Sequence, residues 1–202
     1  MSNNNTVAYK LGNSLYLNVT NRCSNDCVFC IKKTNKGIGY DLTLSEEPSL
    51  QSLLNAVGDP LGYDEIVFCG YGEPLTRIEL VIAASKELKR LGAKSIRINT
   101  NGQANLIHGK NVVPELAGLV DVVSISLNAQ NATAYGELSQ PLKVNPEEAF
   151  EAVLEFAREC KKHIPRVVLS VVKWPGVDIA ACGRIADDLG VDFRVREYMG
   201  NG

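Results

Sequence analysis

Three cysteines, Cys23, Cys27 and Cys30, fall within eight residues, whereas Cys69, Cys160 and Cys182 are each isolated. Thiolates at this spacing can converge from one loop onto one inorganic centre, and soft sulfur ligands favour zinc or an iron–sulfur cluster. A [4Fe–4S] cube usually takes four cysteines. Here the local supply is three, which leaves one iron free for a non-protein ligand, as an open catalytic zinc site keeps a position for substrate. Structural zinc would need a fourth donor. The only histidines, His108 and His163, have no ligand-like spacing to the loop. Cys160 and Cys182 occupy apolar helical positions and Cys69 ends an apolar run, so these three read as packing residues. There is no second cysteine cluster to hold an auxiliary centre.

The chain has 202 residues, 45% hydrophobic and 22% charged, with a formal net charge of -2. Those values describe an ordinary globular protein of one domain. The charge gives no global attraction to nucleic acid or anionic lipid, and no apolar run reaches the ~18 residues of a membrane span. The polar start Met1-Ser2-Asn3-Asn4-Asn5-Thr6 lacks a secretory apolar region. A cytoplasmic protein is expected, in a compartment that keeps thiols reduced.

The elements that must position the cysteine loop read as strand–helix repeats. Strands are predicted over 15–20, 65–69, 95–99, 121–127, 166–172 and 191–198. Most are continuous β-branched or apolar runs, as in a parallel sheet covered on both faces. Helical stripes lie between them: Leu50, Leu53, Leu54 and Val57, with Thr43 or Ser45 as cap; Ile78, Val81, Ile82 and Leu88, stopped at Gly92. Asn145-Pro146-Glu147-Glu148 opens a third helix as a capping-box variant, and Asp178 caps a fourth. Six such units make an α/β protein with right-handed crossovers. A closed eight-stranded barrel needs ~250 residues, so the expected fold is a partial (β/α)6 TIM-like barrel, with a doubly wound sheet as the alternative. Residues 1–12 are expected to be an extension and 13–202 a single core. In either fold the reactive edge is at the carboxyl ends of the strands.

Cys-x₃-Cys-x₂-Cys with an aromatic before the last cysteine, directly after the first strand of a β/α series, resembles the signature of radical S-adenosylmethionine (SAM) enzymes. Leu15-Tyr16-Leu17-Asn18-Val19-Thr20-Asn21-Arg22-Cys23 and Phe68-Cys69-Gly70-Tyr71-Gly72-Glu73-Pro74-Leu75 further resemble the TatD-associated radical SAM proteins. The resemblance implies a [4Fe–4S] cluster on Cys23, Cys27 and Cys30, and SAM as its ligand. Gly70, Tyr71, Gly72 and Glu73 match the motif whose carbonyls and carboxylate receive the cofactor's ammonium, with Tyr71 replacing a glycine of that motif. Thr100 and Asn101 match a cofactor-facing turn after strand three. Ser126 and Asn128 match the ribose and carboxylate contacts, Phe29 matches one adenine wall, and Val171 or Val172 the other. A plain turn is the competing reading for each polar residue, and core packing for each apolar one.

On the last strand Arg194, Arg196 and Glu197 are candidate substrate contacts, Arg196 also for the cofactor; the alternative is a solvated edge ion pair. The ring of Trp174 is a candidate substrate contact. The resemblance also implies a flavodoxin or ferredoxin electron donor and a TatD-type hydrolase as associate. With all six units used by Tyr198, an open barrel flank suits a peptide or protein substrate, as in activases. A small molecule enclosed by dimerisation is the alternative. A non-catalytic iron–sulfur carrier or sensor would use the same cysteines without Glu73 or Asn128, and a zinc-stabilised binding module would be colourless.

Overall fold

A computed structural model describes residues 5–33 and 39–198 of the chain. Seven strands form one sheet in sequence order: β1 (Ala8–Leu11), β2 (Ser14–Asn18), β3 (Glu65–Cys69), β4 (Ile96–Thr100), β5 (Val122–Ser126), β6 (Arg166–Val172) and β7 (Asp192–Arg196). From β2 onward every pair is parallel, and only β1–β2 is antiparallel. A doubly wound sheet would reverse its order midway. This one does not, so its helices lie on one side and the other side curves into an incomplete barrel.

The expected extension is corrected in part. Residues 8–11 pair with β2 as a hairpin edge, while residues 1–4 and the closing 199–202 lie outside the described residues. Ala-Tyr-Lys-Leu is too short and too exposed to announce itself as a strand.

Alternation divides each strand between two environments. Leu15, Leu17, Ile66, Phe68, Ile96, Ile98, Val123, Ile125, Leu169 and Val171 are buried against the helices. These helices are α1 (Leu50–Val57), α2 (Ile78–Arg90), α3 (Ala104–His108), α4 (Val113–Leu116), α5 (Ala132–Ser139), α6 (Pro146–His163) and α7 (Ile179–Leu189). Leu53, Val81, Leu88, Val153 and Phe156 supply the facing stripe. Asn145 and Asp178 cap α6 and α7 as expected, accepting from the amides of Glu148 and Ala181. Ser49 caps α1 in place of Thr43 or Ser45.

The concave side is more polar. Tyr16, Asn18, Arg97, Asn99, Ser124, Ser126, Arg194 and Arg196 alternate with the core residues there. A small second core of Tyr9, Leu42, Val67 and Cys69 fills the β1–β3 end. Tyr9 lies 3.3 Å from the Cys69 sulfur through its hydroxyl and stacks on Tyr16. Cys69, Cys160 and Cys182 are all free and buried. No helix among the described residues is long and apolar enough to cross a membrane.

Candidate active site

The chain leaves β2 at Asn18 and enters the cysteine loop under three sets of ties. The first is to the turn after β3. The amides of Gly72 and Glu73 donate to the carbonyls of Thr20 (2.9 Å) and Arg22 (2.8 Å), extending the β2–β3 pairing past the strands. The approach is so close that a Cβ on residue 72 would sit 2.3 Å from the Arg22 oxygen and 2.5 Å from the Thr20 oxygen. Only glycine fits there. Gly70 has φ 123° and lies against the Asn18 side chain. On the outer flank Glu47 accepts from Thr20 and from the Arg22 guanidinium, and Arg77 donates to the carbonyls of Val19 and Pro48.

The second tie is to the end of α5. The amides of Asp26 and Val28 donate to the carbonyls of Gln140 (3.1 Å) and Leu138 (2.9 Å), and that of Leu142 donates back to Ser24 (2.9 Å). Beneath them is a buried polar triad. The Gln103 amide nitrogen donates to Asn25 (2.9 Å) and to the Tyr135 hydroxyl (2.9 Å), which also accepts from the Asn25 side chain (3.1 Å). Removing the hydroxyl in Tyr135→Phe leaves the buried Asn25 donor without its partner. The expected cost is about 1–3 kcal/mol, read as a lower urea midpoint; an unchanged midpoint would show that the triad holds nothing.

The third tie runs through Asn101. Its side-chain nitrogen donates to Ser24 Oγ (2.7 Å) and stands 3.9 Å from the Cys23 sulfur, while its amide donates to Glu73 Oε2 (2.6 Å). Glu73 is almost wholly buried at 2% exposure. It also accepts from the Leu75 amide (3.0 Å) and the Thr100 hydroxyl (2.8 Å). No cation pairs with it among the described residues. Burial therefore pushes its carboxyl up to about 7, against the pull of these three donors.

The cysteines themselves are half-buried. The Cys30 amide closes a turn onto the Cys27 carbonyl, and that of Lys33 closes one onto Cys30. Burial pushes the Cys27 thiol up to about 12, and the neighbouring Cys23 and Cys30 charges add to it. Cys23 is raised as well, again chiefly by burial. Neighbouring thiolates on one loop repel unless a cationic centre lies between them, and metal ligation is what deprotonates such thiols. Among the described residues no three His, Cys, Asp or Glu side chains stand close enough to hold a single metal ion. Three cysteine thiols presented from one loop are a soft donor set that fits an iron–sulfur cluster.

A second group gathers at the ends of β5, β6 and β7. Asn128, buried with φ 57°, adopts the left-handed conformation that asparagine tolerates best among residues with a Cβ. Its Oδ1 accepts from the Val172 amide (3.3 Å) and from Arg196 Nη2 (3.4 Å), which also reaches Ser126 Oγ (3.3 Å). Arg196 is thus no solvated edge pair. Its Nε is buried with no partner. Glu197 does pair at the edge, with Lys173 at 3.4 Å.

Phe29 is buried and meets Trp174 edge-on at 5.8 Å, and Trp174 in turn meets Tyr198 at 4.7 Å. Tyr71 packs on the second core of Tyr9, Val67 and Cys69. The predicted residues therefore form two groups. Gly72, Glu73, Thr100 and Asn101 are tied to the start of the cysteine loop, with Gly70 against Asn18 and Tyr71 on the second core, while Ser126, Asn128, Val172 and Arg196 lie across the concave face. A cavity of about 330 Å³ opens on the α3 side of the loop between Arg22, Cys23, Gln103 and Lys143, away from the second group. Asn25, Gln103, Tyr135 and Glu47 were not singled out by the sequence. None carries a periodic or spacing signal, although Gln103 directly follows the Asn-Thr-Asn-Gly phrase.

A thiol-bearing loop after the first parallel strand of an open barrel, clamped to a glycine–glutamate turn, defines a metal-dependent α/β enzyme core. The Radical SAM superfamily signature matches residues 17–189, and the chain belongs to that superfamily, whose members use a [4Fe–4S] cluster and SAM. It is 26% identical to a GTP 3′,8-cyclase of Limosilactobacillus fermentum over 166 residues, covering 81% of this chain and 46% of that protein. It is 28% identical to the probable dual-specificity RNA methyltransferase RlmN of Nostoc punctiforme over 166 residues, covering 77% and 42%. Methylornithine synthase (PylB) shares the fold with a TM-score of 0.65 at 13% identity, over 92% of this chain and 53% of that one. The chain spans less than half the length of the curated relatives it matches.

Proposed function

We propose that the protein is a radical SAM enzyme that cleaves SAM reductively and abstracts hydrogen from a phosphate-bearing substrate. The observation that carries this reading is the clamp of the cysteine loop onto the Gly72–Glu73 turn, with Asn101 bridging the two. Cys23, Cys27 and Cys30 would hold the cluster. The chemistry supplied by cluster and SAM together is one-electron scission of the sulfonium, yielding methionine and a 5′-deoxyadenosyl radical.

The protein's own part is placement. Glu73 takes the methionyl ammonium, since its oxygens keep acceptor capacity beyond their three present donors, and the backbone of residues 70–72 comes close beside it. Thr100 and Asn101 fix the carboxylate. Ser126, Asn128 and Arg196 offer donors and acceptors to ribose and carboxylate, while Phe29 and Val172 give apolar walls for adenine.

GTP and RNA appear in the names of two relatives. That moves the expected substrate from the peptide or protein of an activase toward a nucleotide-type molecule. A flavodoxin or ferredoxin would deliver the electron, and six free cysteines suit a reducing, cytoplasmic setting. Association with a TatD-type hydrolase rests only on the two phrases at residues 15–23 and 68–75.

The test is anaerobic reconstitution followed by dithionite and SAM. Formation of 5′-deoxyadenosine is expected, together with a change in the EPR signal of the reduced cluster when SAM is added. A cluster-loaded sample with an unperturbed signal and no 5′-deoxyadenosine would identify an electron carrier instead.

A further inference from the structure

We propose that Arg194 and Arg196, on the concave face of β7, form an oxyanion subsite for a phosphate of the substrate. This inference rests on the cofactor reading above and names the substrate chemistry of the same face. Phe193 packs against the main core, where a Cβ on Gly183 of α7 would stand 3.7 Å from its ring, so strand alternation turns its neighbours Arg194 and Arg196 to the concave side. The reach of Arg196 to Ser126 and Asn128 agrees. Register sets Ser126, Ser170 and Arg194 side by side across three strands, with Val172 and Arg196 one step further toward the carboxyl ends.

Neither guanidinium meets a carboxylate among the described residues. Asp192, on the same strand face, is engaged by Arg166 at 2.7 Å, and Glu197 by Lys173. Arg97, a further arginine of this face, is paired with Glu65 at 2.9 Å. The result is two like charges close enough to repel. Burial first, and Arg194 second, pull Arg196 below the usual arginine range, against a smaller opposing pull from Cys27. Its shielded Nε has no acceptor, although buried donors and charges are normally matched.

SAM can answer Arg196 through its carboxylate, as proposed above, but cannot supply charge for both guanidinium groups. It brings one carboxylate but also an ammonium and a sulfonium, and so is a net cation. A second, anionic molecule would match the pair more fully, and phosphate suits the site better than carboxylate. Two forked guanidinium groups and the Ser126 hydroxyl offer more donors than two oxygens can take, and a phosphate group presents three.

The experiment is calorimetric titration of inorganic pyrophosphate, and separately of malonate, into reconstituted protein and into Arg194→Gln. Wild type is expected to bind pyrophosphate at least tenfold more tightly than malonate, with affinity falling as salt is added. Arg194→Gln is expected to lose tenfold or more. Arg194 is exposed and has no ion-pair partner, so its replacement should leave the thermal melt in place. Equal pyrophosphate affinity in the two proteins, no saturable binding by wild type, or a preference for malonate would overturn the proposal. If wild type binds pyrophosphate through Arg194 yet makes no 5′-deoxyadenosine, the cofactor reading fails and the anion subsite stands.

Discussion

Gly72→Ala will leave a folded barrel that retains less than a tenth of the wild-type iron and sulfide after identical anaerobic reconstitution. The added methyl would overlap the Arg22 and Thr20 carbonyl oxygens at 2.3 and 2.5 Å. Both are backbone atoms, which cannot rotate away as the end of a side chain can. Relief requires the β3 turn and the cysteine loop to separate, which breaks the hydrogen bonds from the Gly72 and Glu73 amides. Overpacking of this kind costs about 1–3 kcal/mol, or a fall in melting temperature of roughly 5 °C for a chain this size. The parallel strands, buried on both sides, survive that loss. The geometry of three sulfurs around one centre does not. Far-UV circular dichroism beside iron and sulfide analysis makes the comparison, and a variant with full iron content would disprove the clamp.

The metal-free protein will gain stability as pH falls from 8 to 5, and Glu73→Gln will abolish most of that gain. The folded-state pKa of Glu73 is raised from 4.5 to about 7 by burial. A raised carboxyl binds its proton more tightly folded than unfolded. Its stabilising contribution is therefore complete below the unfolded value and disappears as pH climbs through about 7. The shift corresponds to roughly 3 kcal/mol. Glutamine does not titrate, but its amide would set a donor against the Asn101 or Leu75 amide, so the variant pays a constant penalty at every pH. Urea midpoints at pH 5, 6.5 and 8 separate the two effects. Wild type and variant should converge as pH rises, and parallel curves would refute the assignment. A bound ammonium beside Glu73 would hold the carboxylate ionised and flatten the wild-type curve.

Much of this was legible in the sequence for identifiable reasons. The runs at 65–69 and 166–172 match their strands because burial on both faces makes them continuously apolar. The long helices declared themselves through stripes and caps. α5 did not, since Ala-Thr-Ala-Tyr-Gly-Glu-Leu-Ser has a glycine at its centre and a weak apolar face. In the site, cysteine spacing and the Gly-Tyr-Gly-Glu phrase are local signals and could be read directly. What docks the loop is not local. Carbonyls of Leu138 and Gln140 carry no residue code, and any side chain could have stood above them. Arg196 was visible as a candidate, but only the register of β5 to β7 shows that it turns inward to Ser126 and Asn128.

The anchoring of the cysteine loop also sets an order of events. Its hydrogen bond from Asn25 to Tyr135 joins residues 110 positions apart, and that from Asn101 to Ser24 joins residues 77 apart. During synthesis the three thiols emerge early, yet the surface that shapes their loop exists only after α5 and its following turn have been made. Iron delivery to a correctly shaped loop consequently waits until the chain through Leu142 has been made, so the metal centre matures after the strands and helices that precede that turn.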